Sequence, residues 1–374
     1  MQGKWRDAFG SFLPALLYAD WQDRRRGDTA RIAARWGYLR RPAERGKLIW
    51  LQCGDDDDSI ELGCALTAAI LDRRHDLQLV LTVERATPFI DARLQGLARA
   101  AWGYATSDRR AALSRAFERL DPFALIFCAV APRPNMAQMA SRAKHVVAVA
   151  PPSGRELPGL EMAYPATSAQ QRTWQAHRQS ARADMATLLV EAQVDPNFIT
   201  LVNGPHARHL WWLHSSDARS AAEFAQQFRQ HFADDVLFVS GAWPQTETSI
   251  SRWNRSVLAP GSIVAVDDEK WLPAIAASVT ATQLESPSPR VLWQALAGGA
   301  PVTHDARAQL PSAELADVVA AAATHDGVLS AWQLYRADPI LQRKYADAAR
   351  RAFWDERRRA ARVNEELLAR VFAW

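Results

Sequence analysis

Continuous apolar runs that alternate with helical segments constrain this chain more than any other feature. Residues 48–53 (LIWLQC), 77–83 (LQLVLTV), 123–131 (FALIFCAVA) and 145–152 (HVVAVAPP) are nearly unbroken in apolar character. A strand with one wet face alternates polar and apolar residues; an unbroken run belongs to a strand covered on both faces, as in a parallel sheet with helices above and below. Helical periodicity fills the gaps at 59–74, 108–120 and 135–143. Residues 153–175, rich in Pro, Gly, Ser and Gln, read as an irregular connector. A helix at 176–193 and a short strand at 198–204 follow. The alternation then restarts with strands at 209–216, 235–241, 262–268 and 279–283, a helix–turn–strand at 288–305, and helices at 218–232, 269–277, 312–323, 329–335 and 339–371.

Two such series in 374 residues, 48% of them hydrophobic, predict about two α/β domains. Each is expected to be doubly wound, with a cleft between them. Ligands in open α/β sheets bind beyond the carboxyl ends of the strands, which directs attention to 53–58, 131–135, 203–206, 214–217, 241–245 and 284–290. No GxGxxG follows the first strand and no GxxxxGK[ST] occurs, which argues against dinucleotide and Walker-type sites. Three cysteines (Cys53, Cys64, Cys128) without a CxxC argue against a disulfide framework or a zinc site and fit a reducing cytosol.

The formal net charge is only +4, but residues 1–50 hold eleven Lys/Arg against five Asp/Glu. A basic end on a neutral body points to an anionic partner surface. Zinc-finger spacing and RNA-binding aromatic signatures are missing, so nucleic acid is not expected. The stretch 8–19 is too short for a span of about 20 residues and lacks a small-residue cleavage site. Trp5, Phe9, Phe12, Leu13, Leu16 and Leu17 share one helical face next to Arg24, Arg25 and Arg26. Such a helix either lies on an anionic membrane or packs on its own domain, with Pro14 as an interruption.

Four aspartates, Asp55–Asp58, stand where the first strand hands over to a helix. Mutual repulsion raises the pKa of at least one, which suits a general base. One or two acids would also cap the helix and meet its dipole. The DxD pairs (Asp55/Asp57, Asp56/Asp58) offer oxygen to a hard cation, without further ligands to complete a site. Elsewhere, His214, Ser215 and Ser216 close a strand where hydroxyls and helix amides would hold a phosphate or cap the next helix. Asn203 and Gly204 are candidates for the substrate or nucleotide site, or serve only as turn formers. Ser286, Ser288 and Arg290 sit in a loop that either touches a nucleotide or is structural. His206 and His209 are lone histidines.

The order of segments resembles the 3-deoxy-D-manno-octulosonic acid (Kdo) transferases, the lipid A-modifying glycosyltransferases of Gram-negative bacteria. The resemblance runs through 24–54 (RRRGDTARIAARWGYLRRPAERGKLIWLQCG), 66–84, 121–135 (DPFALIFCAVAPRPN), 209–224 and 292–302 (LWQALAGGAPV). It implies the GT-B fold: two Rossmann-like, doubly wound domains facing a central cleft. The domains would be 27–194 for the acceptor and 195–338 for the nucleotide sugar, with 1–26 on the membrane and 339–374 crossing back to the first domain. It implies transfer of a sugar from a CMP-linked, Kdo-like donor to a lipid A or related glycolipid at the cytoplasmic face of the inner membrane, with no cofactor and no catalytic metal.

An ungapped count from Trp50 sets Asp58 at the family's catalytic Glu; counting back from residues 75–81 gives Ser59, and Glu61 lies one turn away. Three departures oppose activity. The Glu-rich turn becomes AVAPRPN (129–135), Ala242 replaces an Arg, and Gln294 replaces the nucleotide-motif Glu. Two functions follow: a membrane-associated glycosyltransferase, or a catalytically inactive glycosyltransferase-like binding protein.

Overall fold

The computed structural model describes residues 13–152, 157–191, 198, 202, 208–243, 248–250, 257–305, 310, 311 and 313–374. The chain forms two compact units. One is Met1–Met185 with Ala361–Trp374; the other is Ala186–Ala360.

The first unit holds a parallel sheet of β1 (Lys47–Cys53), β2 (Leu77–Val83), β3 (Ala100–Tyr104), β4 (Ala124–Cys128), β5 (His145–Val149) and β6 (Leu160–Tyr164), in the order β3-β2-β1-β4-β5-β6. Every residue of β2 and β4 is buried, as their unbroken apolar runs require. Trp50 anchors one face, packing edge-on against Phe117 at 5.4 Å while its Nε1 donates to Thr82 Oγ1 at 2.9 Å. The order reverses between β1 and β4, where Cys53 lies opposite Cys128.

The second unit is also parallel: β7 (Leu210–Ser215), β8 (Val236–Gly241), β9 (Thr248–Ser249), β10 (Ile263–Val266), β11 (Ala281–Glu285), β12 (Val302–His304) and β13 (Val319–Ala321), in the order β13-β12-β11-β7-β8-β10-β9. Its reversal falls between β7 and β11. An aromatic core of Trp211, Phe224, Phe228 and Trp332 fills one face of the sheet, under the helices Ala218–His231 and His325–Ala337.

Five segments depart from the sequence expectation. In the expected strand 198–204 the described residues, Phe198 and Val202, are helical. β3 is half-buried throughout and contains Gly103, so it carries no apolar run. The supposed connector 153–175 contains β6 and the helix Ser168–Thr173. Among the described residues of the expected helix 176–193 none is α-helical, and only Met185–Leu189 form a 3-10 helix. Ala163 N donates to Arg178 O and Ser180 N to Ala163 O, so residues 178–180 pair along the open edge of β6, where edge pairing overrides helix propensity. The expected helix 312–323 ends early in β13, where Val319 pairs with Val302.

At the amino end, the helix Leu13–Arg25 tolerates Pro14 because a first-turn residue needs no intrahelical N–H bond. The expected apolar face is divided. Leu16 is buried with Asp20 and Asp23, which pair with Arg35, whereas Leu13, Leu17, Tyr18 and Trp21 are exposed. Trp5, Phe9 and Phe12 lie outside the described residues. Among the described residues no helix is long and apolar enough to cross a membrane. At the carboxyl end, the helix Pro339–Phe372 belongs to the second unit up to Ala360 and to the first from Ala361. There Leu367, Leu368 and Val371 are buried, Arg74 donates to the carbonyls of Val371 and Phe372, and Trp374 stacks on His145 at 4.8 Å.

Candidate functional site

In both units the chemistry-bearing residues cluster where the strand order reverses, the position at which ligands bind in doubly wound sheets.

In the first unit, β1 ends at Cys53 and turns at Gly54. A Cβ there would stand 3.0 Å from both Asp56 Oδ2 and Ser59 Oγ, so a side chain at the turn into the helix Asp57–Arg73 would press on the capping groups and require them to shift by a few tenths of an ångström. Asp56 is the N-cap: its Oδ1 accepts from Ser59 N at 2.8 Å, and Ser59 Oγ donates to Asp56 O at 2.9 Å. Asp57 pairs with Arg85 at 2.8 Å, and Arg85 also donates to the carbonyl of Asp55. Glu61 is buried and paired with Arg93. Asp58 lies half-buried in the first turn. The run therefore divides its work between a cap, an ion pair and a half-buried carboxylate. Beside it, at the ends of β2 and β4, Glu84 pairs with Arg133 at 2.6 Å. Buried Asp108 accepts from the backbone N–H groups of Asn135 and Met136; desolvation pushes its pKa up, against those bonds. Burial also raises Cys53 well above the usual thiol range and Cys64 to about 11, so neither is a nucleophile. Among the described residues no three His, Cys, Asp or Glu side chains are gathered for a metal ion.

In the second unit a cavity of about 320 Å³ opens at the carboxyl ends of β7, β11, β12 and β13. Its centre is Glu285. Oε2 accepts from Ser215 Oγ at 2.7 Å and Ser220 Oγ at 2.9 Å, and Oε1 faces His325 Nε2 at 3.3 Å. Burial alone would raise the Glu285 pKa; the bonds from His325, Ser215 and Ser220 together outweigh it and hold it low. The hydrogen bond to Glu285 raises His325 against its own burial. Ser286 follows in a left-handed conformation, φ +50°, which a non-glycine residue adopts at a cost of about 1–3 kcal/mol. Next to the cavity, burial lowers His214 to about 4, and its Nδ1 lies 2.9 Å from Ser240 Oγ. The Ser240 hydroxyl accepts from Trp212 Nε1. A side chain at Gly241, φ +91°, would collide with the carbonyl of Ser215.

The structure brings Ser215, Ser216 and Ser286 together on this cavity. Ser215 gives its hydroxyl to a carboxylate, which is a poor setting for the phosphate expected there. Ser288 is the N-cap of the helix Pro289–Gly298, accepting from Val291 N at 3.3 Å. Arg290 pairs with Glu269 at 3.3 Å, and buried Gln294 donates to the carbonyl of Glu191. Asn203, Gly204 and His206 lie outside the described residues; His209 Nδ1 lies 3.0 Å from Thr280 Oγ1. Sequence reasoning missed Gln283, Glu285, Ser220 and His325. A signal was present: Gln283 and Glu285 are long polar side chains at alternate positions of a short strand, which places both on one face.

No protein-family profile matches the chain, and no curated protein matches it in sequence. Solved structures do match. Anabaena Alr3699/HepE in complex with UDP and glucose aligns at TM-score 0.57 and 10% identity, over 88% of this chain and 100% of its own. The Neisseria meningitidis UDP-GlcNAc 2-epimerase bound to UDP-GlcNAc aligns at 0.54 and 9%, over 80% and 94%. Acinetobacter baumannii MurG aligns at 0.51 and 10%, over 82% and 95%. Two parallel, doubly wound sheets flanked by helices and this set of neighbours define the class: the chain has the GT-B fold. Within that class it is similar to glycosyltransferase-fold proteins at low identity.

Proposed function

We propose that the chain is a nucleotide-sugar-dependent glycosyltransferase, with the donor held by the second unit and the acceptor by the first. The observation that carries the reading is the polar cavity at the β7/β11 reversal, where three serines expected at a nucleotide site gather around Glu285 and His325. In the reaction a carboxylate takes the proton of an acceptor hydroxyl, the oxygen bonds to the anomeric carbon, and the nucleotide leaves with the bonding pair. Asp58 is the assigned base, because it stands half-buried in the first turn at the position that the resemblance aligns with the family's catalytic Glu; Glu61, one turn on and paired with Arg93, is second.

The finer reading follows the Kdo transferase resemblance: a CMP-linked donor and a lipid A or related glycolipid acceptor. The structural neighbours solved with a nucleotide carry UDP or a UDP-sugar, so UDP is the rival donor handle. Membrane seating at the cytoplasmic face of the inner membrane draws support from Leu13, Leu17, Tyr18 and Trp21, exposed beside Arg24 and Arg25. A second reading, binding without transfer, is favoured by the arginines that occupy Asp57 and Glu61.

Thermal-shift measurement with CMP, UDP, GDP and ADP tests the donor assignment. A ligand at a hundredfold its Kd stabilises the native state by about 2.7 kcal/mol. CMP or UDP should raise the melting temperature; no response to any of the four overturns the reading.

A further inference from the structure

The cavity at the carboxyl ends of β7 and β11 is acidic. Asp217, Glu285 and Asp305 line it, and among its described lining residues there is no lysine or arginine. His325, which faces Glu285 at 3.3 Å, brings one positive charge when protonated. The amino termini of the helices Ala218–His231 and His325–Ala337 add about half a charge each, and both are already capped, Asp217 Oδ1 accepting from Arg219 N and Thr324 Oγ1 from Gly327 N. Negative charge prevails even with every one of these counted.

Gln283 supplies an independent observation. It alternates with Glu285 along β11, so both face the same side of the sheet. It lines the cavity and is 2% exposed, yet its Oε1 has no hydrogen-bond partner among the described residues. A buried acceptor left unmatched destabilises the protein and calls for an explanation. Glu285 keeps capacity too, since it faces Ser215, Ser220 and His325 and a carboxylate has about four acceptor positions.

A ligand that meets these acceptors must bring hydrogen-bond donors, and the charge selects a cation. A phosphate, which only accepts, leaves Gln283 Oε1 unmatched and stands against three carboxylates. A neutral hydroxyl compound matches Gln283 and leaves the charge uncompensated. A bare metal ion needs ligands that converge on one point, and among the described residues no three His, Cys, Asp or Glu side chains are gathered in that way. An ammonium group is a cation with three donors and no acceptor. Acids spread around a cavity of about 320 Å³, at the small end of ligand pockets, match a short chain that carries such groups at separated positions.

We propose that this cavity takes an organic diamine or short polyamine, one ammonium group donating to Gln283 Oε1 and Glu285 and another facing Asp217 and Asp305. The assignment goes beyond the donor reading and does not rest on it. A cation seated there also shields a nucleotide's phosphates from the carboxylates, so the two ligands are compatible.

Isothermal titration of the full chain tests it with putrescine, spermidine, 1,4-butanediol (the uncharged counterpart of putrescine) and Mg²⁺. Wild type should bind an amine and not the diol. Glu285→Gln, similar in shape, should weaken amine binding roughly 10–100-fold through loss of a charged hydrogen bond. Gln283→Met keeps the side-chain length and removes the unmatched acceptor, so the unliganded variant should melt no lower than wild type while binding the amine roughly tenfold more weakly. Asp347→Asn, at an exposed acid of the long carboxyl-terminal helix, should leave amine binding unchanged. Amines bound equally by wild type, Glu285→Gln and Gln283→Met overturn the assignment, as does Mg²⁺ that displaces the amine from wild type and binds Glu285→Gln more weakly. CMP or UDP binding with no amine binding overturns this assignment and leaves the donor reading standing. Amine binding that Glu285→Gln weakens, with no nucleotide bound, upholds it and removes the donor reading.

Discussion

Gly63 decides how closely the helix carrying Asp57, Asp58 and Glu61 approaches β1. A Cβ at Gly63 would fall on Cys53 Sγ, with Leu81 Cδ1 at 3.1 Å and Leu51 Cδ2 at 3.2 Å boxing it in. The sulfur cannot retreat easily, because Cys128 stands opposite Cys53 on β4. Gly63→Ala therefore combines two opposed effects. Helix propensity favours alanine by about 1 kcal/mol. Overpacking a core opposes it by about 1–3 kcal/mol. The single variant should lose about 0–2 kcal/mol, too broad a range to be decisive. The coupling is sharper. Cys53→Ala removes the atom that the new methyl meets, so the double variant should recover the overpacking term, a coupling of about 1–3 kcal/mol that is independent of propensity. Denaturant unfolding of wild type, both single variants and the double variant measures it. Coupling below about 0.5 kcal/mol, the usual additivity of separate sites, would refute the close approach of the helix to the end of β1.

Other outcomes follow from the same contacts. Asp56→Ala should lower stability by about 1 kcal/mol through loss of the cap. Asp58→Asn should leave stability nearly unchanged and, with a turned-over substrate in hand, reduce turnover by about 10²–10⁴-fold; equal turnover would favour binding without transfer. His325 is raised above its ordinary 6.5, so its contribution to stability is complete below that value and fades as pH rises through its folded pKa. Glu285 is lowered below 4.5, so its contribution is present above that value and fades as pH falls through its folded pKa. Their combined effect on the melting temperature should be greatest between about pH 4.5 and 6.5, and the loss on the alkaline side should disappear in His325→Gln. Replacing Leu17 and Trp21 with serine should abolish co-sedimentation with anionic liposomes at low salt; unchanged pelleting would remove the membrane assignment.

The parallel sheets were legible because apolar runs such as those of β2 and β4 have no alternative to burial on both faces. The edges were not. β3 is half-buried throughout and β6 in part, so neither carries an unbroken apolar run, and the partner of β6 is a segment whose residues favour a helix; only the unpaired backbone of the edge, invisible in sequence, recruits it. The aspartate run was legible as a position but not as a division of labour, because Arg85 and Arg93 come from loops and helices 28 and 32 residues away. The second-unit site was half legible. Ser215, Ser216 and Ser286 stand at or just beyond strand ends, where ligands bind; Glu285 lay in the same stretch, 284–290, but no motif singled it out, and His325 was hidden by the 40 residues that separate it from its partner.

Hydrogen–deuterium exchange of the full chain with and without CMP and UDP tests the central claim most directly, since exchange reports local opening segment by segment. Protection should appear in the second unit at residues 213–220, 283–288 and 322–328, around Ser215, Glu285 and His325. Protection confined to the first unit, or none with either nucleotide at saturating concentration, would contradict the assignment of the second unit as the holder of a nucleotide-sugar donor.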